Sequence, residues 1–178
     1  MNKSTVRSVT LIGMPSAGKT RVGKLLSETL RWPFVDTDHL IVDRFGAIGL
    51  QEVVDELSRE EYAALEEAIG VATALTIRRP TVIATGGSMV YSQKAMQFLA
   101  KRTLVVYLEA SLETIKRRVE KRPDRGIVFD PGETLADLYG RRIPMYRQWA
   151  HRTVDANGDH RRSIATGLAE SLAKEDLV

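Results

Sequence analysis

The sequence predicts an α/β fold built on a parallel sheet, and two observations support this prediction. Short runs of β-branched and apolar residues alternate with longer segments whose apolar positions recur at helical spacing. The first run, residues 9–12, leads into residues 13–20, GMPSAGKT, which fit the pattern G-x-x-x-x-G-K-[ST] of a phosphate-binding P-loop. Because 178 residues suffice for one well-packed domain, we expect a single domain over residues 1–178.

The composition argues against several classes of function. Hydrophobic residues make up 43% of the chain and charged residues 28%, and no apolar run reaches the length of a membrane span. Without cysteine there are no disulfides or thiolate metal sites, which suits the cytoplasm. The net charge of +3 comes without the aromatic-interleaved basic stripe of nucleic-acid-binding proteins. We expect a cytoplasmic monomer with a small-molecule substrate and no membrane or nucleic-acid partner.

The P-loop motif explains the residue types at positions 13–20. Its glycines let the backbone curl so that successive N–H groups point at phosphate oxygens. Lys19 adds a positive charge, and Thr20 begins the next helix, where its hydroxyl can bind Mg²⁺. Apolar residues at helical spacing continue to Leu30, and Pro33 ends the pattern. The alternative interpretation is an ordinary glycine-rich turn between strand and helix.

Two carboxylates follow the second predicted strand, residues 34–35, in the sequence Asp36-Thr37-Asp38. Since side chains alternate along a strand, we expect Asp36 and Asp38 to share one orientation and Thr37 to take the other. The carboxyl end of this strand should lie beside the P-loop, where two carboxylates indicate metal binding and proton transfer. A pair of solvated loop acids is the alternative.

The middle of the chain is predicted to be helical over residues 40–78, with a break near residues 46–49 and most acidic side chains on a solvated face. A third strand, residues 81–85, runs into Gly86-Gly87. Paired glycines there allow a ligand to approach the backbone closely, although a plain turn would use the same residues. A helix and a fourth strand follow at residues 93–101 and 104–108.

The last third of the chain contains a candidate lid. A predicted helix over residues 112–120 ends at residues 121–126, KRPDRG, where proline, glycine and three cations break the periodicity. This composition indicates a mobile loop that closes over phosphates, or alternatively a solvated basic turn. The remaining predicted elements are a helix over 135–139 with 141–146 in it or at its end, a strand over 152–155 and a helix over 164–177. The three histidines share no ligand spacing and are interpreted as structural or exposed: His39, His151 and His160.

Five motifs in this order resemble the shikimate kinase family: the P-loop, FVDTD at 34–38, TGG at 85–87, Arg-Pro at 122–123 and R-x-P-x-Y at 142–146. Only the P-loop is specific alone, but the order and spacing of the set are specific, and the likeness covers about residues 9–155. The resemblance implies a three-layer P-loop kinase fold with a five-stranded parallel sheet, a substrate-binding helical region at about 38–65 and a lid at about 121–131. It also implies transfer of the γ-phosphoryl group of ATP to a ring hydroxyl of shikimate, in aromatic amino acid biosynthesis.

The resemblance assigns metal and substrate roles to individual residues. Thr20 and Asp36 would hold Mg²⁺. Asp38 would bind substrate hydroxyls and accept the proton of the attacking hydroxyl. Gly87 would contact the substrate, and Arg142 would bind its carboxylate.

The resemblance also implies residues that bind ATP and stabilise the transferred group. Lys19 and a lid arginine would stabilise charge on the phosphoryl oxygens. Arg122, which precedes a proline, is the candidate lid arginine, and Arg125 is the alternative. The nucleotide-binding set comprises the P-loop, its helix and an adenine-stacking arginine: Gly13, Ser16, Ala17, Gly18, Lys19, Thr20, Arg21 and Arg118.

Three positions depart from the family pattern. Where the family has an aromatic residue followed by a second carboxylate-binding arginine, Tyr62 is followed here by Ala63. Losing that charge-assisted contact costs about 1.5 to 3 kcal/mol, so shikimate should bind weakly unless another cation substitutes. Ser88 replaces the third glycine after the third strand, and Ser16 stands in the P-loop where glycine is usual.

Three hypotheses for the function follow. The first is an ATP-dependent kinase that phosphorylates shikimate. The second is a kinase of the same fold that acts on another hydroxylated small acid or polyol, which Ala63 and Ser88 favour. The third is a catalytically inactive nucleotide-binding protein, against which the intact phosphotransferase motifs argue.

Overall fold

A five-stranded parallel sheet forms the centre of the protein. The computed structural model describes residues 8–121, 126–158 and 160–174. Within them the strands run in the order β2-β3-β1-β4-β5, and each neighbouring pair is parallel. Their bounds are β1 Ser8–Ile12, β2 Phe34–Asp36, β3 Val82–Ala84, β4 Thr103–Glu109 and β5 Arg152–Asp155. β1, β3 and β4 are buried along almost their whole length, as expected of central strands covered on both faces.

Helices cover the sheet and complete the predicted three-layer α/β fold. In the described part of the chain they are α1 Lys19–Leu30, α2 Thr37–Phe45, α3 Leu50–Glu56, α4 Arg59–Thr76, α5 Gln93–Arg102, α6 Leu112–Glu120, α7 Leu135–Trp149 and α8 Arg161–Lys174, with a 3₁₀ turn at Met89–Tyr91. α1 packs against α8, and α4 packs against α5. None of the helices described here is long and apolar enough to cross a membrane.

The parallel strands bring the predicted motifs to one edge of the sheet. β1 lies between β3 and β4, so the P-loop that follows it is flanked by the loops after those two strands. The register pairs Leu11 of β1 with Ala84 of β3, and Ala84 with Asp36 of β2. Asp36 and the glycines after β3 therefore end beside the P-loop.

Helices α2, α3 and α4 form a second, smaller apolar cluster away from the main core. Ile41, Val53 and Tyr62 are buried at its centre, and Val128 of the segment before α7 packs against them. The predicted break at residues 46–49 is present. A second break before α4 was not predicted.

The sequence signal for the second break is a capping box. Ser58 Oγ accepts a hydrogen bond from the Glu61 N–H, and the Glu61 carboxylate accepts one from the Ser58 N–H at 2.9 Å. Together they satisfy two donors that a helix start leaves open. The motif S-x-x-E at residues 58–61 could have placed the start of α4.

The prediction that Asp36 and Asp38 share one orientation on a single strand is wrong, because the two residues do not lie on the same strand. β2 ends at Asp36, and α2 begins at Thr37. Asp36 is the N-cap of α2, where its Oδ1 accepts a hydrogen bond from the Asp38 N–H at 3.1 Å. The short polar side chain stabilises this helix start because it satisfies an otherwise unpaired donor.

Candidate active site

A cavity of about 340 Å³ opens at the carboxyl edge of the sheet. The P-loop and the start of α1 form one end, and residues from α2, α4, α7 and the loop after β3 form the other. The structure brings six of the predicted site residues together around it: Lys19, Thr20, Asp36, Asp38, Gly87 and Arg142. The arrangement gives one end phosphate-binding groups and the other end a carboxylate and a buried cation.

The P-loop backbone has three residues with positive φ. The values are 145° at Gly13, 64° at Ser16 and 109° at Gly18. A Cβ at Gly13 would lie 2.8 Å from the Leu108 carbonyl oxygen, so this position requires glycine. Ser16 adopts a left-handed conformation that costs a non-glycine residue about 1 to 2 kcal/mol, which explains why glycine is usual there.

Two polar groups of the P-loop fit a phosphate. Ser16 Oγ is buried, and within the described residues it has no hydrogen-bond partner. The Lys19 side chain is buried too, and its Nζ donates to the carbonyls of Gly13 at 2.7 Å and Met14 at 2.9 Å. These bonds hold the ammonium group at the mouth of the loop, where a nucleotide phosphate would bind.

Thr20 and Asp36 form a pair of oxygen donors beside the P-loop. Thr20 Oγ1 donates a hydrogen bond to Asp36 Oδ2 at 2.7 Å, and His39 Nδ1 lies 3.5 Å from the same oxygen. Among the residues described, no three His, Cys, Asp or Glu side chains form a metal site. Mg²⁺ needs no such cage, because it is usually held by one or two protein oxygens, phosphate oxygens and water. The two oxygen donors of Thr20 and Asp36 therefore fit a Mg²⁺ ion.

Glu66 is a buried acid and an exception to the prediction that most acidic side chains of residues 40–78 lie on a solvated face. Only 3% of the residue is exposed, and Ser88 Oγ donates a hydrogen bond to its Oε1 at 3.0 Å. Burial raises the pKa of Glu66 to about 8, and the charge of Asp38 adds to the shift. Its spacing of four residues from the buried Tyr62 and Gly70 is the signal that could have identified it.

Asp38 and Glu66 both approach Gly86. A Cβ at Gly86 would lie 2.3 Å from Glu66 Oε1 and 2.7 Å from Asp38 Oδ1, so a side chain there would collide with both carboxyl groups. The Gly86 N–H donates to Thr37 Oγ1 at 3.0 Å, which fixes the turn. The glycines after β3 thus let two acidic groups from different helices come close together.

Arg142 is held by Tyr91, a residue that the sequence motifs did not identify. The residue is 2% exposed, its Nε donates to the Tyr91 hydroxyl at 3.1 Å, and its guanidinium carbon lies 5.2 Å from the centre of the Tyr91 ring. The Tyr146 hydroxyl donates to the Gly87 carbonyl at 2.6 Å. A Cβ at Gly87 would approach within 2.9 Å of Pro15 Cδ, so glycine is needed where the loop after β3 meets the P-loop. The motif R-x-P-x-Y therefore supplies both a cation and a support for the loop after β3.

Arg118 and Arg21 lie outside this cavity. Arg118 is 9% exposed and links the P-loop to the loop after β5, because its guanidinium donates to the carbonyls of Ala17 at 3.3 Å and Ala156 at 2.9 Å. Arg21 is exposed on α1. Stacking of Arg118 on adenine stays a prediction.

The predicted lid is only partly described. Arg122 and Arg125 lie outside the described residues, so their roles stay predictions. Residues 126–128 line the cavity. Further along, Asp130 forms ion pairs with Arg59 of α4 and Arg141 of α7, the latter at 2.7 Å. The end of the lid is thus attached to two of the helices around the cavity.

A second cavity, of about 580 Å³, adjoins the first where the family pattern has an arginine. Ala63 lines it, and Ser88 and Arg142 line both cavities. Arg59, one helical turn before Ala63, also lines the second cavity, but its guanidinium pairs with Asp130. The space beside Ala63, where the family pattern has an arginine side chain, is therefore part of the open second cavity.

Comparisons with known proteins agree with this geometry. The family model described as "Shikimate kinase" matches residues 15–173. A shikimate kinase of Vibrio vulnificus is 33% identical over 93% of this chain and 96% of its own length. A solved structure of shikimate kinase from Acinetobacter baumannii in complex with shikimate superposes with a TM-score of 0.86 at 29% identity, covering 98% of this chain and 97% of the other. The chain belongs to the shikimate kinase family and is a phosphotransferase with a hydroxyl group as acceptor.

Proposed function

We propose that this protein transfers the γ-phosphoryl group of ATP to a ring hydroxyl of shikimate, with Mg²⁺ as the metal cofactor. The observation that carries the proposal is the cavity with the P-loop at one end and Asp38, Gly87 and Arg142 at the other. A structurally similar relative has shikimate bound, which supports the choice of acceptor. Another hydroxylated acid or polyol is less favoured because both relatives named above are shikimate kinases.

The P-loop end would bind the nucleotide phosphates. Backbone N–H groups, Ser16 Oγ and Lys19 Nζ face the same loop mouth, where their combined positive potential favours an anion. Thr20 and Asp36 would hold Mg²⁺, which when bound neutralises part of the negative charge on the phosphates. Lys19 would stabilise the charge that spreads over the transferred phosphoryl oxygens.

The other end would bind and activate the acceptor. Arg142 would bind the shikimate carboxylate, since its buried guanidinium lines the cavity. Asp38 would accept the proton as the acceptor oxygen attacks the γ-phosphorus. The O–H bond breaks, a new P–O bond forms, and the bond between the γ-phosphorus and the bridging oxygen breaks as ADP leaves.

Location in the cytoplasm and a monomeric state stay predictions, as does the division into one domain. The proposal does not depend on them, because the residues that carry it all come from one chain.

A panel of acceptors tests the choice of substrate. ADP release from ATP and Mg²⁺ would be measured with shikimate, quinate, sugar acids, hydroxy amino acids and cyclitols at matched concentrations. We expect kcat/KM to be highest for shikimate. No turnover at millimolar shikimate, with turnover of another acceptor, would reject the substrate while leaving the phosphotransferase reaction in place.

Ala63→Arg should strengthen shikimate binding. A second guanidinium in the open space beside Arg142 would add a charge-assisted contact of about 1.5 to 3 kcal/mol, or roughly tenfold to a hundredfold in affinity. Wild type and variant would be compared for shikimate KM and for direct binding, and Ala68→Arg, on an exposed position of the same helix that lines neither cavity, is the control. If the arginine at position 63 weakened shikimate binding, the pocket would be shaped for another acceptor.

A further inference from the structure

Glu66 lines the second cavity and is only 3% exposed, and the proposed reaction gives it no role. Within the described chain its carboxyl group takes part in none of the ion pairs. The hydrogen bond that the structure shows for it comes from the Ser88 hydroxyl, an uncharged donor. A buried carboxylate with a single neutral partner is costly, and such groups usually take up a proton instead.

The charges that face Glu66 come from three other helices. Asp38 of α2 opposes ionisation of Glu66, while Lys19 of α1 and Arg142 of α7 favour it. Tyr62, one turn earlier on α4, is also buried. Burial and Asp38 outweigh the Ser88 hydrogen bond and the two cations, since the net effect is a pKa of Glu66 raised to about 8.

We infer that Glu66 acts in this enzyme as a neutral, protonated carboxyl group, and that its neutrality sets the affinity of the acceptor pocket for an anion. Ser88 Oγ donates to Oε1, so the proton resides on the other carboxyl oxygen, Oε2. The inference rests on the proposed function in one respect, that the acceptor carries a carboxylate.

Charge balance explains why neutrality matters here. Position 63 is alanine, so Arg142 is left as the cation for the acceptor carboxylate at this end of the cavity. An ionised Glu66 would add a second negative charge beside Asp38 and would weaken the pull of Arg142 on the incoming anion. Residues 63 and 66 lie one helical turn apart on α4. Because alanine at 63 supplies no positive charge, the pocket binds an anion better when Glu66 carries no negative charge.

The pH dependence of shikimate KM tests this inference. Below about pH 8 Glu66 holds its proton, and above that value it becomes negative and repels the acceptor. We expect KM for shikimate to rise about tenfold between pH 7 and pH 9 in the wild type, while KM for ATP changes little. Glu66→Gln, which is permanently neutral, should keep the wild-type KM at pH 7 and lose the rise at pH 9.

Controls separate this role from a structural one. Glu56→Gln removes one exposed charge from α3 and should keep the wild-type pH profile. Glu66→Ala should raise KM at every pH, because it removes the hydrogen bond to Ser88 as well. Ala63→Arg should lower the pKa of Glu66, since a cation three residues away on the helix favours the ionised form of Glu66. The rise in shikimate KM between pH 7 and pH 9 should then be smaller than in the wild type.

A measurement on the free enzyme separates this inference from the choice of substrate. The ¹³C carboxyl resonance of Glu66, assigned by its loss in Glu66→Gln, should titrate near pH 8 without any acceptor present. A resonance that is already ionised at pH 6, or a Glu66→Gln variant that is as impaired at pH 7 as Glu66→Ala, would overturn the inference. Absence of shikimate turnover with normal titration of Glu66 would instead count against the proposed substrate.

Discussion

Lys19→Ala should lower kcat by about a hundredfold to a thousandfold while the protein stays folded. The Lys19 ammonium is buried at the mouth of the P-loop and would neutralise charge on the transferred phosphoryl group, where loss of a single donor typically costs about 10² to 10³ in rate. The loop itself is shaped by backbone conformation at Gly13, Ser16 and Gly18, which the substitution leaves unchanged. Steady-state kinetics with ATP and shikimate would measure the effect.

Lys24→Ala is the matched control for this experiment. Lys24 is exposed on the same helix, α1, so its loss removes one positive charge without touching the P-loop. We expect its kcat to match the wild type, and circular dichroism should show both variants folded. Turnover by Lys19→Ala within tenfold of the control would rule out the P-loop lysine as a catalytic group.

Asp38→Asn should reduce kcat by about 10² to 10⁴ while the affinity for ATP stays near the wild-type value. Asparagine keeps the shape of the side chain but cannot accept a proton. Asp38 lies in the cavity at the start of α2, with Asp36 between it and Thr20 at the proposed metal position. The effect should therefore appear in the chemical step, which single-turnover kinetics with saturating ATP would isolate.

Asp43→Asn provides the comparison, since Asp43 is exposed on the same helix. It should leave both kcat and ATP affinity unchanged. If Asp38→Asn weakened ATP binding and left turnover per bound ATP intact, Asp38 would be a metal ligand and the proton would go elsewhere.

The fold was predictable because its signals are local. Alternating strand and helix patterns, the P-loop spacing and the glycines after β3 each lie within a short stretch of sequence, and the parallel sheet then brings them to one edge. Six predicted site residues meet in one cavity for this reason. The error at Asp36 and Asp38 arose because Asp36 ends a strand and caps a helix at once, so the alternation rule stops there.

Contacts between distant segments could not be predicted in the same way. Ser88, from the loop after β3, contacts Glu66 on α4. No pattern in the sequence around Glu66 predicts that contact. Tyr91 and Tyr146 hold Arg142 and Gly87 across intervals of 51 and 59 residues. The four-residue spacing from Tyr62 and Gly70 places Glu66 on one face of α4, but only tertiary packing shows that this face is buried.

The most direct test of the proposed function is the product itself. Wild-type enzyme would be incubated with ATP, Mg²⁺ and shikimate, and mass spectrometry and ³¹P spectroscopy would follow ADP and phosphorylated shikimate together. The account predicts one phosphoryl group on a shikimate hydroxyl for each ADP released, with both signals lost in Lys19→Ala. ADP formed at the same rate with and without shikimate, and no phosphorylated shikimate, would contradict it.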